Sequence, residues 1–146
     1  MESLVNEIRS EATHVKSSTI FECVHMDICG PYLTSDYVTS LYVVTLVDSA
    51  SSYALVRATR NCPTSGDTSA LFRRVLECFN TLPATCHTDN GSQFVSGEFV
   101  AVLLANATVQ KRSPVRASFC NGKVERLHRV LNQRIRAHVS KGQEQL

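Results

Sequence analysis

SLYVVTLVDSASSYALVRA, residues 40–58, holds two β-branched runs on either side of a short polar connector. Residues 40–48 form the densest such run in the chain, and residues 52–58 form another. Such side chains suit a pleated, half-buried surface, and Ser49, Ala50 and Ser51 are too few residues for a parallel crossover. The stretch is therefore predicted to be an antiparallel hairpin. A hairpin alone is marginal in water, so the fold depends on what flanks it.

On the N-terminal side, FECVHMDI (21–28) reads as a strand ended by Gly30-Pro31. Alternation puts Cys23, His25 and Asp27 on one face and Val24, Met26 and Ile28 on the other. Residues 1–20 have weak periodicity and are expected to be an arm or a short helix. On the C-terminal side, the turn-rich NCPTSGDTS leads into Leu71, Phe72, Val75, Leu76 and Phe79 at helical spacing. The spacing predicts a helix over 68–80, capped by Asp67 or a neighbour. A short strand, 84–88, follows and ends at Asp89. Ser96 is placed to cap a helix over 97–105, with Val95 and Val100 as a hydrophobic staple. A strand at 107–111, an irregular stretch at 112–121 and a helix over 122–138 complete the chain. Val124, Leu127, Leu131 and Ile135 would be the buried stripe of that last helix. The order β-β-β-α-β-α-β-α describes an α/β fold, a five-stranded mixed sheet flanked by helices.

A chain of 146 residues, 43 % hydrophobic, can build one core, expected over 21–140 with a tail at 141–146. No apolar run approaches the roughly 18 residues of a membrane span, and the charged first 20 residues lack a signal segment. No membrane partner is expected, and the six cysteines are read as reduced. They contain no C-x-x-C pair, and the five histidines no H-x₃₋₅-H spacing, so a structural zinc site is not expected. Charge is uneven: residues 1–110 hold 6 Lys/Arg against 11 Asp/Glu, and residues 111–146 hold 9 against 2. A basic C-terminal segment on an acidic domain points to a polyanion.

Three carboxylates stand where strand ends and a crossing helix could meet: Asp27, Asp89 and Glu125. Asp89 opens the Asn-Gly turn in HTDNGSQF (87–94). Because a capped helix follows, that turn is expected to end a strand sharply and expose Asp89, not to close a hairpin. Glu125 heads a helix face shared with Arg129, Asn132 and Arg136. Three converging carboxylates need hard cations, and Mg²⁺ or Mn²⁺ fits, with two ions roughly 4 Å apart serving an in-line displacement at phosphorus.

Four stretches in order, HMDICGP, VVTLVDSASSYALV, HTDNGSQF and NGKVERLHRVL, resemble the catalytic core of retroviral and LTR-retrotransposon integrases, nearest to Ty3/gypsy-like elements. The 35 residues between Asp89 and Glu125 match the D,D-35-E spacing of that DDE family. The resemblance implies an RNase H-like fold, with Asp27, Asp89 and Glu125 as catalytic and metal-binding residues holding two Mg²⁺ or Mn²⁺ ions. Asn90, Gly91 and Phe94 match D-N-G-x-x-F, Asn121-Gly122 match the N-G before the glutamate, and Gly30-Pro31 match D-x-x-G-P. Asn121 would position the scissile phosphate or the nucleophile. Arg129 and Asn132 would face DNA. The implied activity is DNA 3′-end processing and strand transfer, a nucleotidyltransferase and endonuclease acting on double-stranded DNA. A homodimer or higher homo-oligomer is implied, working in the nucleus after passage through the cytoplasm in an element particle.

The chain departs from the family before N-G, where Arg116, Ser118, Phe119 and Cys120 replace Y-x-P-Q-S/T. The family's N-terminal zinc domain and C-terminal DNA-binding domain do not fit in residues 1–20 or 139–146, which is expected of a catalytic core or a truncated, domesticated copy. The alternative to an active enzyme is a catalytically silent DNA-binding or assembly module. A ribonuclease H would want a fourth acid, and none is well placed; a cut-and-paste transposase stays close in mechanism. Lys111, Arg112, Arg116 and Lys123 bracket the departing loop as candidate phosphate contacts, with Arg136 further along the helix. Asp48 is read as a turn carboxylate and Glu98 as a helix-dipole partner. His25 is either a hydrogen-bonded core histidine or a group orienting Asp27.

Overall fold

The structure, a computed structural model, describes residues 19–33, 40–113 and 122–144, with side chains over 126–137 in the last segment. The expected arm over residues 1–20 falls almost wholly outside these residues. Strands β1 (Cys23–Leu33), β2 (Ser40–Asp48), β3 (Ala54–Thr59), β4 (Thr85–Thr88) and β5 (Val109–Arg112) form one sheet in the order β3-β2-β1-β4-β5. β2 is antiparallel to both β1 and β3, while β4 is parallel to both β1 and β5. The sheet is mixed, five-stranded and flanked by helices.

The hairpin is built around Asp48. Its Oδ1 accepts the Phe21 amide at 2.8 Å, and its Oδ2 accepts the Ser51 amide at 2.8 Å and the Ser51 hydroxyl at 2.5 Å. This carboxylate is wholly buried and does the turn work expected of it. Ser52 completes the turn at φ 65°.

The first helix, α1 (Ser65–Phe79), starts three residues before 68 because Thr64 is its cap and Asp67 is the third helical residue. The Thr64 side chain accepts the Asp67 amide, and the Asp67 carboxylate accepts the Thr64 amide at 2.9 Å, which makes a full capping box. Asn80 ends the helix in the left-handed region at φ 49°. A four-residue helix, α2 (Ser92–Val95), precedes α3 (Gly97–Ala105), whose Ser96 cap accepts the Phe99 amide at 3.4 Å. Val95, expected to staple this helix, is 39 % exposed. Glu98 in its first turn accepts the Ser65 hydroxyl at 2.6 Å and so joins α3 to α1.

One sheet face makes the core. Val24, Met26, Val44, Leu46 and Cys86 meet Leu71, Phe72 and Val75 of α1, Phe94 of α2, and Phe99, Val102 and Leu103 of α3. Phe99 stands edge-on to both Phe72 and Phe94. Each of these buried apolar side chains contributes about 1.5–3 kcal/mol of transfer free energy.

Two elements differ from the pattern read along the sequence. β1 does not end at Gly30-Pro31 but runs on to Leu33. The pair sits in a ladder irregularity between Cys29 and Tyr32, where a proline forfeits no strand hydrogen bond. The last helix, α4 (Gly122–Glu144), runs past 138, so residues 141–144 continue the helix where a tail was expected. It lies on the sheet face opposite α1 and α3. Its stripe residues Leu127, Leu131 and Ile135 are only half-buried, and none belongs to the buried core cluster among the described residues. The Val124 side chain lies outside the described residues. No helix among the described residues is long and apolar enough to cross a membrane.

Candidate active site

The site begins with strand register. β1 and β4 pair in parallel through Cys23 with Thr85, Val24 with Cys86, and His25 with His87. Asp27 and Asp89 each follow two residues later, so alternation sets them on the face shared by His25 and His87. Pairing between the two strands stops at the histidines, and β4 itself stops at Thr88. The carboxylates thus emerge where the two parallel strands part, Asp27 within β1, which runs on beside β2, and Asp89 just past the C-terminal end of β4. In open α/β sheets that is where ligand crevices form.

Asp27 is held from two sides. Its Oδ1 accepts the Ile28 amide at 2.8 Å, and its Oδ2 lies 3.6 Å from Nδ1 of His128 on α4. The other ring nitrogen of His128 is 3.1 Å from the Thr45 hydroxyl on β2. Burial pushes the Asp27 carboxyl above its ordinary value, and the charge of Asp89 pushes the same way; the Ile28 amide and His128 oppose them. Asp89 thus stands close enough for its charge to act on Asp27.

Asp89 is aimed by its own turn. Its Oδ1 accepts the Gly91 amide at 2.7 Å. Gly91 has φ −57°, so the glycine is not there for a left-handed backbone. It is there for space: a Cβ on Gly91 would lie 2.9 Å from that same Oδ1. Phe94, buried in the core, anchors the turn, and its amide reaches the Gly91 carbonyl at 2.9 Å. Gln110 on β5 donates to the Phe94 carbonyl at 2.8 Å and the Thr88 hydroxyl at 3.0 Å, locking the strand end to α2. Asn90 is exposed at the tip of the turn.

Glu125 falls in the first turn of α4, as do Gly122 and Lys123, but the side chains of these residues lie outside the described ones. Asn121, Arg116 and the rest of the departing loop also lie outside the described residues. His128 is three positions after Glu125 on the same helix, so its contact with Asp27 fixes where the start of α4 crosses the sheet. An open cavity of about 430 Å³ runs along α4, lined by His128, Arg129, Asn132, Gln133 and Arg136. Arg129 and Arg136 are exposed, while Asn132 is half-buried and accepts the Tyr32 hydroxyl. Lys111 and Arg112 are exposed on edge strand β5, and Arg112 donates to Gln110.

Sequence reasoning missed His128, Thr45 and Gln110. His128 stood in the quoted NGKVERLHRVL, three positions from Glu125, and that spacing was the available signal. The histidine set against Asp27 is His128, whereas His25 stacks on His87 with ring centroids 4.6 Å apart.

Residues 20–118 match the integrase core domain family. The fold is similar to a chain in the cryo-EM structure of the simian T-cell lymphotropic virus intasome in complex with PP2A regulatory subunit B56 gamma. That match has a TM-score of 0.73 and 18 % identity, covering 86 % of this chain and 44 % of that one. It is also similar to the catalytic core domain of BIV integrase, with a TM-score of 0.64 and 16 % identity, covering 83 % of this chain and 73 % of that one. This chain thus spans less than half the length of the simian virus chain. Comparison with curated proteins gives no match. The five-stranded mixed sheet with flanking helices is the RNase H-like fold of the BIV integrase catalytic core. On the matched span, which is more than half of its length, the chain belongs to the integrase core domain family.

Proposed function

We propose that this chain is a polynucleotidyl transferase core that performs metal-dependent 3′-end processing and strand transfer on DNA. The observation that carries this reading is the pair Asp27 and Asp89, just past the point where parallel β1 and β4 part, with α4 brought against Asp27 by His128. Membership of the integrase core domain family supports it.

The donor set is all oxygen, which fits a hard divalent ion, Mg²⁺ or Mn²⁺. Asp27 and Asp89 would hold two such ions with Glu125. Bound there, they supply Lewis-acid stabilisation of the attacking and leaving oxygens. The rest falls to the chain itself. The Ile28 amide and His128 set the rotamer of Asp27, and the Gly91 amide sets that of Asp89. Arg129 and Arg136 offer cations to phosphates along α4, with Asn121, Lys123, Arg116, Lys111 and Arg112 as further candidate contacts.

In end processing, a water oxygen attacks phosphorus as the bond to the 3′ oxygen breaks, and that oxygen takes up a proton. In strand transfer, the freed 3′-hydroxyl attacks a target phosphodiester, forming one P–O bond as another breaks. Contacts of this kind go to the backbone, so target binding is salt-sensitive and weakly sequence-specific. The similar simian virus chain is part of an intasome, which supports a homo-oligomer on double-stranded DNA; a nuclear DNA target is part of the same proposal.

The test is a nicking and strand-transfer assay on end-mimicking oligonucleotides with Mg²⁺ or Mn²⁺. Asp27→Asn, Asp89→Asn and Glu125→Gln should each lose at least about a hundredfold. Full activity in Glu125→Gln sinks the mechanism. Wild-type protein that binds the DNA but cuts nothing with either ion favours the silent assembly module.

A further inference from the structure

The face that carries Asp27 and Asp89 also carries a cluster that the transfer chemistry leaves unused. Cys23 and His25 stand two residues apart on β1, and His87 lies directly across from His25 on β4. One ligand atom from each of the three, the thiol sulfur and two ring nitrogens, lies within 4.8 Å of the others. All three residues are half-buried. The two imidazoles stack with an interplanar angle of 21°, an arrangement open to neutral rings and costly for two imidazolium ions.

We infer that Cys23, His25 and His87 bind a thiophilic divalent cation, Zn²⁺, which joins β1 to β4 behind the carboxylate pair. One thiolate and two imidazoles are the donor types that suit zinc, and three protein ligands leave a fourth tetrahedral position for water. Zinc bonds of about 2.0–2.3 Å put tetrahedral ligands roughly 3.3–3.8 Å apart, so the cluster must tighten by about 1 Å. Binding also turns the two rings out of their stack, because lone pairs in near-parallel ring planes do not converge on one ion. The selectivity differs from the neighbouring site by chemistry alone: sulfur and nitrogen here, carboxylate oxygen there.

Binding forms the Zn–S bond and releases the thiol proton to solvent. The proposal departs from the expectation of no structural zinc site. That expectation looked for ligand pairs along the chain, whereas these ligands combine an i, i+2 strand face with a partner strand.

Co²⁺ is the probe, since its thiolate charge-transfer and tetrahedral absorption bands report the ligands directly. The purified chain should bind one Co²⁺ with both bands, and Zn²⁺ should displace it. Cys23→Ser and His87→Gln should each lose the charge-transfer band or weaken binding at least tenfold. Cys62→Ser, at an exposed cysteine, and Asp89→Asn should leave the spectrum unchanged. Zn²⁺ should also raise the melting temperature of the wild type and not that of Cys23→Ser. Wild-type protein without a thiolate–cobalt band overturns the proposal, as does Cys23→Ser that keeps the band or the full Zn²⁺-induced rise.

Discussion

Nδ1 of His128 lies 3.6 Å from Oδ2 of Asp27, while the far side of the same ring meets Thr45. One imidazole thereby ties the long helix to two strands at the point where the carboxylates emerge. Removing groups that orient metal-binding carboxylates typically costs 10–100-fold in affinity or activity. His128→Ala should lower strand transfer by about that factor, with the larger loss at limiting Mg²⁺. Rates measured across a Mg²⁺ titration decide this. A variant equal to wild type at low metal would show that the ring only packs.

Gly91 makes a second, sharper case. Alanine suits φ −57°, yet its Cβ would press on Asp89 Oδ1 at 2.9 Å and Gln93 Oε1 at 3.2 Å. The side chain that must give way is the carboxylate itself. Gly91→Ala should change stability by less than about 1 kcal/mol and lower activity at least about tenfold, with a raised Mg²⁺ requirement. Thermal melts paired with the metal titration separate the two effects.

Asp48 should matter to folding and not to chemistry. Burial alone would raise its carboxyl, but hydrogen bonds from Ser51, Phe21 and Ala50 outweigh that and hold it below the ordinary 3.8. A lowered folded pKa means stability that is present above 3.8 and lost as pH falls through the folded value. Asp48→Asn should cost about 2 kcal/mol near neutral pH, and its gap to wild type should narrow in acid below the ordinary value. Urea melts from neutral to strongly acidic pH read this out. A gap that stays constant across the range argues against an ionised carboxylate.

Arg129 and Arg136 line the trough along α4 with their side chains exposed. If each neutralises one phosphate, Arg129→Ala and Arg136→Ala should each lower the salt slope of DNA binding by about 1. The loss should be similar across target sequences. Fluorescence anisotropy over a salt series on two unrelated duplexes tests both points.

What could be read in advance was whatever repeats along the chain. The hairpin, the alternation of strands and helices after it, and the Ser96 cap all follow from local periodicity and turn chemistry. Asp89 was found because its turn marks a strand end, and Asp27 because alternation puts it on one face of β1, although the strand runs on past it. Glu125 needed the family spacing, and the described residues bring its helix, though not its side chain, to Asp27. What escaped was whatever depends on elements meeting. A bulge absorbs Gly30-Pro31, and nothing local marks that absorption. The stripe of Leu127, Leu131 and Ile135 tells which face of α4 is apolar, but not how fully it is covered. The short α2 was hidden because the Asn-Gly signal before it reads simply as a turn. His128 and the Cys23, His25 and His87 cluster exist only across elements.

The parallel pairing of β1 with β4 also sets an order in time. His25 and His87 are partners 62 positions apart, and closing such a loop costs about 4 kcal/mol in chain entropy before any contact repays it. The hairpin closes locally and can form early, whereas the carboxylate pair cannot exist until this distant closure is made. A half-folded chain therefore has no paired acids to collect stray cations. The cation binding proposed for Asp27 and Asp89 would then signal that folding has reached its end.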